Sequence, residues 1–160
     1  MVTRRFQAGF TATEILVVIA IVGILAAVAI PSMSNLLAMQ AVRSASYDLN
    51  ADLTYARSEA ISRGVNVSVV GASTTDFKQG WTITAAGVTA PLRTQGARDS
   101  KITFTGNAGT YTFDRTGRLT AGSPAQWAIL PTDSGAQDHQ KRCIKLDPSG
   151  RTRTNEGVCS

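Results

Sequence analysis

The sequence predicts an α+β protein, in which one long N-terminal helix with a membrane-grade first part packs on a C-terminal antiparallel, β-sandwich-like domain. Two observations carry that reading. Apolar residues run almost unbroken over 15–30 and then recur at spacings of three and four through Val42, Ala45, Leu49, Leu53, Ala56 and Ala60, which is the period of a helix with one buried face. After Gly64 the apolar period changes to two, starting with Val65, Val67 and Val69, as in strands buried on one side.

The chain opens with a short leader, 1–9, that carries Arg4 and Arg5 and ends in Gly9; Phe10 follows, and Glu14 stands at the head of the apolar run. An isolated charge at bilayer depth costs roughly 2.5–3.5 kcal/mol. Glu14 is therefore expected to serve a partner rather than stability. About 20 apolar residues at about 1.5 Å rise each span a hydrocarbon core, so the segment after Phe10 can wait in a membrane. The leader arginines hold the amino end on the cytoplasmic side and place the chain from about Asn35 outside the cytoplasm. Should the segment leave lipid for a helical filament, Glu14 can pair with the free amine of Phe10 on a neighbouring subunit, a buried pair that selects register more than it adds stability. A plain signal anchor with Glu14 near the interface is the other reading of these residues.

The helix is expected from about Thr11 to Arg63. Pro31 is the candidate for a bend, because it lacks a donor and clashes with the preceding turn, and Gly64 is the candidate stop. Ser46, Asn50 and Arg57 fall on another face of the helix.

Beyond Gly64, Trp81 with Ile83, Ile102 with Phe104, Tyr111 with Phe113, Trp127 with Ile129 and Ile144 with Leu146 mark further short strands, separated by Gly, Ser, Thr and Pro. Residues 71–75 and 85–90 read as loops, and Arg93 and Arg98 fall in another. Asp114-Arg115-Thr116-Gly117-Arg118 recurs as Asp147-Pro148-Ser149-Gly150-Arg151. Asp at the first and Gly at the fourth position suit a type I turn, with Pro148 pre-set at the second.

The chain of 160 residues leaves, after leader and anchor, enough for one soluble domain with its own core. The expected division is 1–9 leader, 10–34 membrane or filament-core helix, and 35–160 head. Formal net charge is +5, which bears on solubility and attraction to anionic surfaces rather than on fold. Cys143 and Cys159 are the two cysteines; the orientation argument puts both in an oxidising compartment, where a disulfide is expected. A metal site is the alternative, although no Cys-x-x-Cys and no clustered His supports one. His139, the single histidine, reads as a loop residue, and neither a phosphate-binding glycine loop nor a carboxylate pair points to catalysis. No enzyme and no cofactor is expected.

Gly9, Phe10, Glu14, the retained apolar run and Pro31 together resemble the type III signal of type IV pilins and type II secretion pseudopilins. An ordinary secretory signal has its apolar core before the cut and loses it; here the polar leader precedes the core. The resemblance implies a prepilin peptidase that cuts after Gly9 and methylates Phe10, an inner-membrane stage, and assembly with other pilins or pseudopilins. Element order, the stretch Ala56-Arg57-Ser58-Glu59-Ala60, the turn after Phe113 and Gly150-Arg151-Thr152-Arg153 are similar to the GspH/FimT branch, which includes FimU-type minor pilins.

Within that branch a Gly-Arg-x-Arg motif near the C terminus binds DNA in FimT-type pilins of competent bacteria. Gly150, Arg151 and Arg153 match it residue by residue. If 147–150 is a hairpin turn, Arg151 and Arg153 stand two apart and face the same way, with Lys141, Arg142 and Lys145 preceding the turn. Two guanidinium groups so placed can contact successive phosphates of double-stranded DNA without reading sequence. A solvated face of exposed arginines is the other reading, and a GspH-type pseudopilin of a secretion system is the alternative to a pilus subunit.

Overall fold

A computed structural model describes residues 10–73, 77–106, 109–121, 125–132 and 135–159; the side chains at 28 and 30–32 fall outside that description. The helix α1 spans Ala12–Arg63, 52 residues. Its start is a reciprocal cap: the Glu14 backbone N–H donates to Thr11 Oγ1 at 3.3 Å, and the Thr11 backbone N–H donates to the Glu14 carboxylate at 2.8 Å. Thr-x-x-Glu is the sequence signature of such a box. At the other end Gly64, with φ of 67°, donates its N–H to Ala60 O at 3.0 Å, the left-handed stop that glycine adopts without steric cost.

The chain divides between Leu37 and Ala38 into two compact units, with α1 running through both. In the second unit α1 is followed by β1 (Val67–Gly71), β2 (Trp81–Ala85), β3 (Arg93–Gln95), β4 (Ile102–Gly106), β5 (Thr110–Phe113), β6 (Leu119–Ala121), β7 (Ala125–Pro131), a 3₁₀ turn (Asp138–Gln140), β8 (Arg142–Leu146) and β9 (Thr152–Glu156). Among the described residues these strands form two antiparallel sheets, ordered β3-β2-β1-β5-β6 and β4-β7-β8-β9.

One core joins the helical stripe to a face of each sheet. Val42, Ala45, Leu49, Leu53, Ala56 and Ala60 are buried together with Val67, Val69, Trp81, Ile83, Tyr111 and Phe113 of the first sheet and Ile102, Phe104, Trp127, Ile129, Ile144 and Leu146 of the second. Burying a Val, Leu, Ile or Phe side chain is worth about 1.5–3 kcal/mol, so this stripe binds the helix to both sheets. Phe77, from the segment before β2, sits among Trp81, Tyr111 and Trp127 at ring separations of 5.9, 6.1 and 5.4 Å. Tyr111 and Trp127 meet edge to face at 5.1 Å and so tie the two sheets; burial pushes the Tyr111 hydroxyl pKa up.

Four expectations need correction. Ser46 is buried, and Arg57 is half-buried with Nε donating to Gly117 O at 3.0 Å. Asn50 is half-buried, with Oδ1 buried and lacking a partner among the described residues; these positions flank the stripe rather than oppose it. Arg93 lies on the edge strand β3 rather than in a loop, opposite Ile83 of β2. Both arginines of that region hold α1: Arg93 Nη1 donates to the buried Asp52 at 2.5 Å, and Arg98 Nη1 to Asp48 at 2.7 Å. Asp52 also accepts from Trp81 Nε1 at 2.8 Å. Its hydrogen bond with Arg93 raises that guanidinium's pKa.

Candidate functional site

The described chain offers two candidate surfaces, described separately. In the N-terminal unit Phe10 is 84% exposed, and Ile15, Leu16, Val17, Val18 and Ile19 are 47–67% exposed. Five consecutive helical positions cover every direction around the axis, so this helix is apolar on all sides, as a helix is that lies in lipid or inside an assembly. Among the described residues no helix is long and apolar enough to cross a membrane. Gly9, the expected cleavage residue, lies outside the described residues, as does the side chain of Pro31.

In the C-terminal unit the candidate basic residues lie on or near the β8–β9 hairpin. The Asp147 N–H donates to Arg151 O at 2.9 Å and the Gly150 N–H to Asp147 O at 2.8 Å, so 147–151 is a tight turn with Gly150 at φ of 75°. Register pairs Lys145 with Arg153 and Arg142 with Glu156. Lys145 and Arg153 therefore share a face close to the turn, and Arg151 leads out of it. Arg151 and Arg153 are exposed; Arg153 Nε stands 3.8 Å from Asp147.

The other two candidates lie at the far end of the hairpin. Arg142 pairs with Glu156 at 3.0 Å and also donates to the carbonyls of His139 and Lys141, while Lys141 Nζ bonds Asp138 at 3.1 Å. Arg142 lies three residue steps, at about 3.3 Å each, along β8 from Lys145. The structure thus places Lys145, Arg151 and Arg153 at the turn end of the hairpin and Lys141 and Arg142 at the other. Cys143 and Cys159 form a disulfide with a sequence separation of 16. It fastens the tail beyond β9 to β8, and the Gly157 N–H donates to Lys141 O at 3.1 Å beside it.

The two Asp-x-x-Gly-Arg stretches share more than turn chemistry: they touch, a contact that no local pattern in the sequence states. The Leu119 N–H donates to Pro148 O at 3.1 Å, and a Cβ on Gly150 would lie 2.0 Å from Gly117 O. Asp114 accepts from the Thr116 hydroxyl at 2.6 Å and from the Arg118 N–H at 3.0 Å; these bonds hold its carboxyl below the usual range. Among the described residues no group of three or more His, Cys, Asp and Glu side chains could hold a metal.

A long N-terminal helix with an all-round apolar start, packed through its second half on two antiparallel sheets, defines a pilin-like subunit. The family described as "Type II transport protein GspH" matches residues 45–150, and the chain belongs to that family. It is similar to the type IV minor pilin FimU of Pseudomonas aeruginosa in two crystal forms, at 30% and 31% identity and TM-scores of 0.58 and 0.59. Both alignments cover 71% of this chain, and 91% and 87% of the FimU chains. The minor pseudopilin EpsH of the Vibrio cholerae type 2 secretion system shares the fold at 12% identity and a TM-score of 0.55, over 72% of this chain and 96% of EpsH. These relatives are a minor pilin and a minor pseudopilin.

Proposed function

We propose that this chain is a non-catalytic minor-pilin subunit of a type IV filament machine. A prepilin peptidase cuts it between Gly9 and Phe10. Residues 10–34 then hold it in the inner membrane with its head outside the cytoplasm, until it joins other pilins in a periplasmic or extracellular pilus. The observation that carries this reading is the apolar surface around α1 from Ile15 to Leu25, exposed in the single chain. Such a surface needs lipid or neighbouring subunits. The similarity to the FimU minor pilin favours the pilus; the family's description as a type II transport protein favours a secretion pseudopilin as the second reading.

The head then offers Arg151 and Arg153, with Lys145, to double-stranded DNA during uptake. The family match ends at residue 150, so this part of the proposal rests on the hairpin and on the Gly-Arg-x-Arg resemblance. Deletion of the chain separates the readings. Loss of piliation and of transformation with intact secretion supports the pilus subunit, whereas loss of secretion alone assigns the chain to the secretion machine. Mass spectrometry of the mature protein checks the cut, which must leave Phe10 as the first residue.

A further inference from the structure

The two Asp-x-x-Gly-Arg turns are built alike. Asp114 N–H donates to Arg118 O at 2.8 Å and Asp147 N–H to Arg151 O at 2.9 Å; Gly117 and Gly150 each donate to the carbonyl of their own Asp at 2.8 Å. The glycines carry φ of 76° and 75°. One turn joins β5 to β6 in the first sheet, the other joins β8 to β9 in the second. They meet glycine to glycine, and Arg57 of α1 holds the junction through its 3.0 Å bond to Gly117 O. A Cβ on either glycine would also crowd Arg57 Nε, at 3.0 Å from Gly117 and 3.3 Å from Gly150.

This contact decides where Arg118 stands. Gly117 before it touches Gly150, and Leu119 after it bonds Pro148, so Arg118 is pinned between two residues that both rest on the second turn. Arg118 and Arg151 occupy equivalent places, each the first residue after a buried glycine, and both are exposed, as is Arg115. None of Arg115, Arg118 and Arg151 joins a salt bridge among the described residues. The nearby Asp114 accepts from the Thr116 N–H and hydroxyl and from the Arg118 N–H, and it also feels the Arg118 charge.

We propose that the paired turns form one composite phosphate-binding edge, in which Arg118 and Arg115 from the first sheet extend the row begun by Arg151 and Arg153, for the sugar–phosphate backbone of double-stranded DNA. The proposal rests on the DNA-binding reading above and widens its site from one hairpin to two. Guanidinium forks fit phosphate oxygens bidentately, and a duplex that carries a charge every 1.7 Å or so of its axis rewards a row of cations more than a pair. Arg57 is a positioning residue: it keeps the two turns in contact without itself being exposed.

The test uses the full chain in nonionic detergent with a short fluorescent duplex, reading affinity by anisotropy across a salt series. Arg118→Gln and Arg151→Gln should each lower the log–log salt slope by about 0.9, so that a four-fold rise in salt costs the variant about 3.5-fold less affinity than it costs the parent. The double variant should lose about twice as much slope, and Lys101→Gln, exposed near the start of β4, should lose none. A lowered slope in Arg151→Gln with an unchanged one in Arg118→Gln overturns the composite edge and leaves the hairpin reading standing. A parent chain without salt-dependent binding removes both. Displacement of the duplex by poly-glutamate at equal charge concentration overturns the choice of phosphate as ligand.

Discussion

Replacing Gly150 by Ala tests whether the two turns depend on direct backbone contact. Gly150 has φ of 75°, and its added Cβ would sit 2.0 Å from Gly117 O, a backbone atom that cannot swing aside. Gly87 is the matched control: its φ is 79°, with nothing within 4 Å of a built Cβ. Both substitutions carry the left-handed backbone strain of about 1–2 kcal/mol. Gly150→Ala must in addition part the turns, which breaks the Leu119 bond to Pro148 and strains that of Arg57 to Gly117. A neutral hydrogen bond is worth about 0.5–1.5 kcal/mol net and a charged one about 1.5–3. The excess of Gly150→Ala over Gly87→Ala should therefore be about 2–4 kcal/mol, or about 10 °C in midpoint for a head of this size. Thermal unfolding followed by emission of the buried Trp81 and Trp127 measures it. Equal midpoints for the two variants would refute the contact and the composite edge with it.

Protein collected from outside the cytoplasm should show no alkylation of Cys143 or Cys159 before reduction; serine at both positions should cost about 3 kcal/mol for a loop of this length. A chain beginning at Ala38 should be soluble and folded, with a mixed helix and strand circular dichroism spectrum, since the core stripe starts at Val42; aggregation in every buffer contradicts the division at that point. The Asp114 carboxyl, held below its usual range first by the Thr116 hydroxyl and then by the Arg118 N–H, has a folded pKa below its unfolded one. Its contribution is thus present above the unfolded pKa and lost as pH falls through the folded one. Asp114→Asn should lower stability at neutral pH, leave it little changed at the acid end and so flatten the acid side of the stability profile; an unaltered acid limb argues against the turn's charge.

The helix was legible from end to end because its signals are local: a three-and-four apolar period, and a glycine where the chain must turn left-handed. Strands with a buried face were equally legible through Trp81, Ile102, Tyr111, Trp127 and Ile144. The edge strand β3, as Arg93, Thr94 and Gln95, and β9, exposed along most of its length, bury too little to leave a period. The pairing of β1 with β5 is a long-range choice that no local pattern states. Asp52 could have been found, since it falls between Leu49, Leu53 and Ala56 inside the apolar stripe, where a carboxylate must have a partner. The repeat of Asp-x-x-Gly-Arg was visible, but its meaning depends on two sheets bringing the copies together.

Glu14 is where sequence and structure assign one residue two tasks. Membrane cost argued for a partner, yet in the single chain the carboxylate already has one, the Thr11 N–H at 2.8 Å and hydroxyl at 2.9 Å. A cap of this kind orders the first turn of α1 and holds the carboxylate near Phe10. The two tasks separate by chemistry, because glutamine can still close a capping box but cannot form an ion pair with a neighbour's amine. If Glu14 serves assembly by charge, Glu14→Gln and Glu14→Ala should both insert into membrane normally and both be depleted from filaments, measured by immunoblot of sheared fibres against whole cells. If it serves only as a cap, Glu14→Gln should enter filaments as the parent does and Glu14→Ala alone should fail, an outcome that would remove the inter-subunit pair from the proposed function.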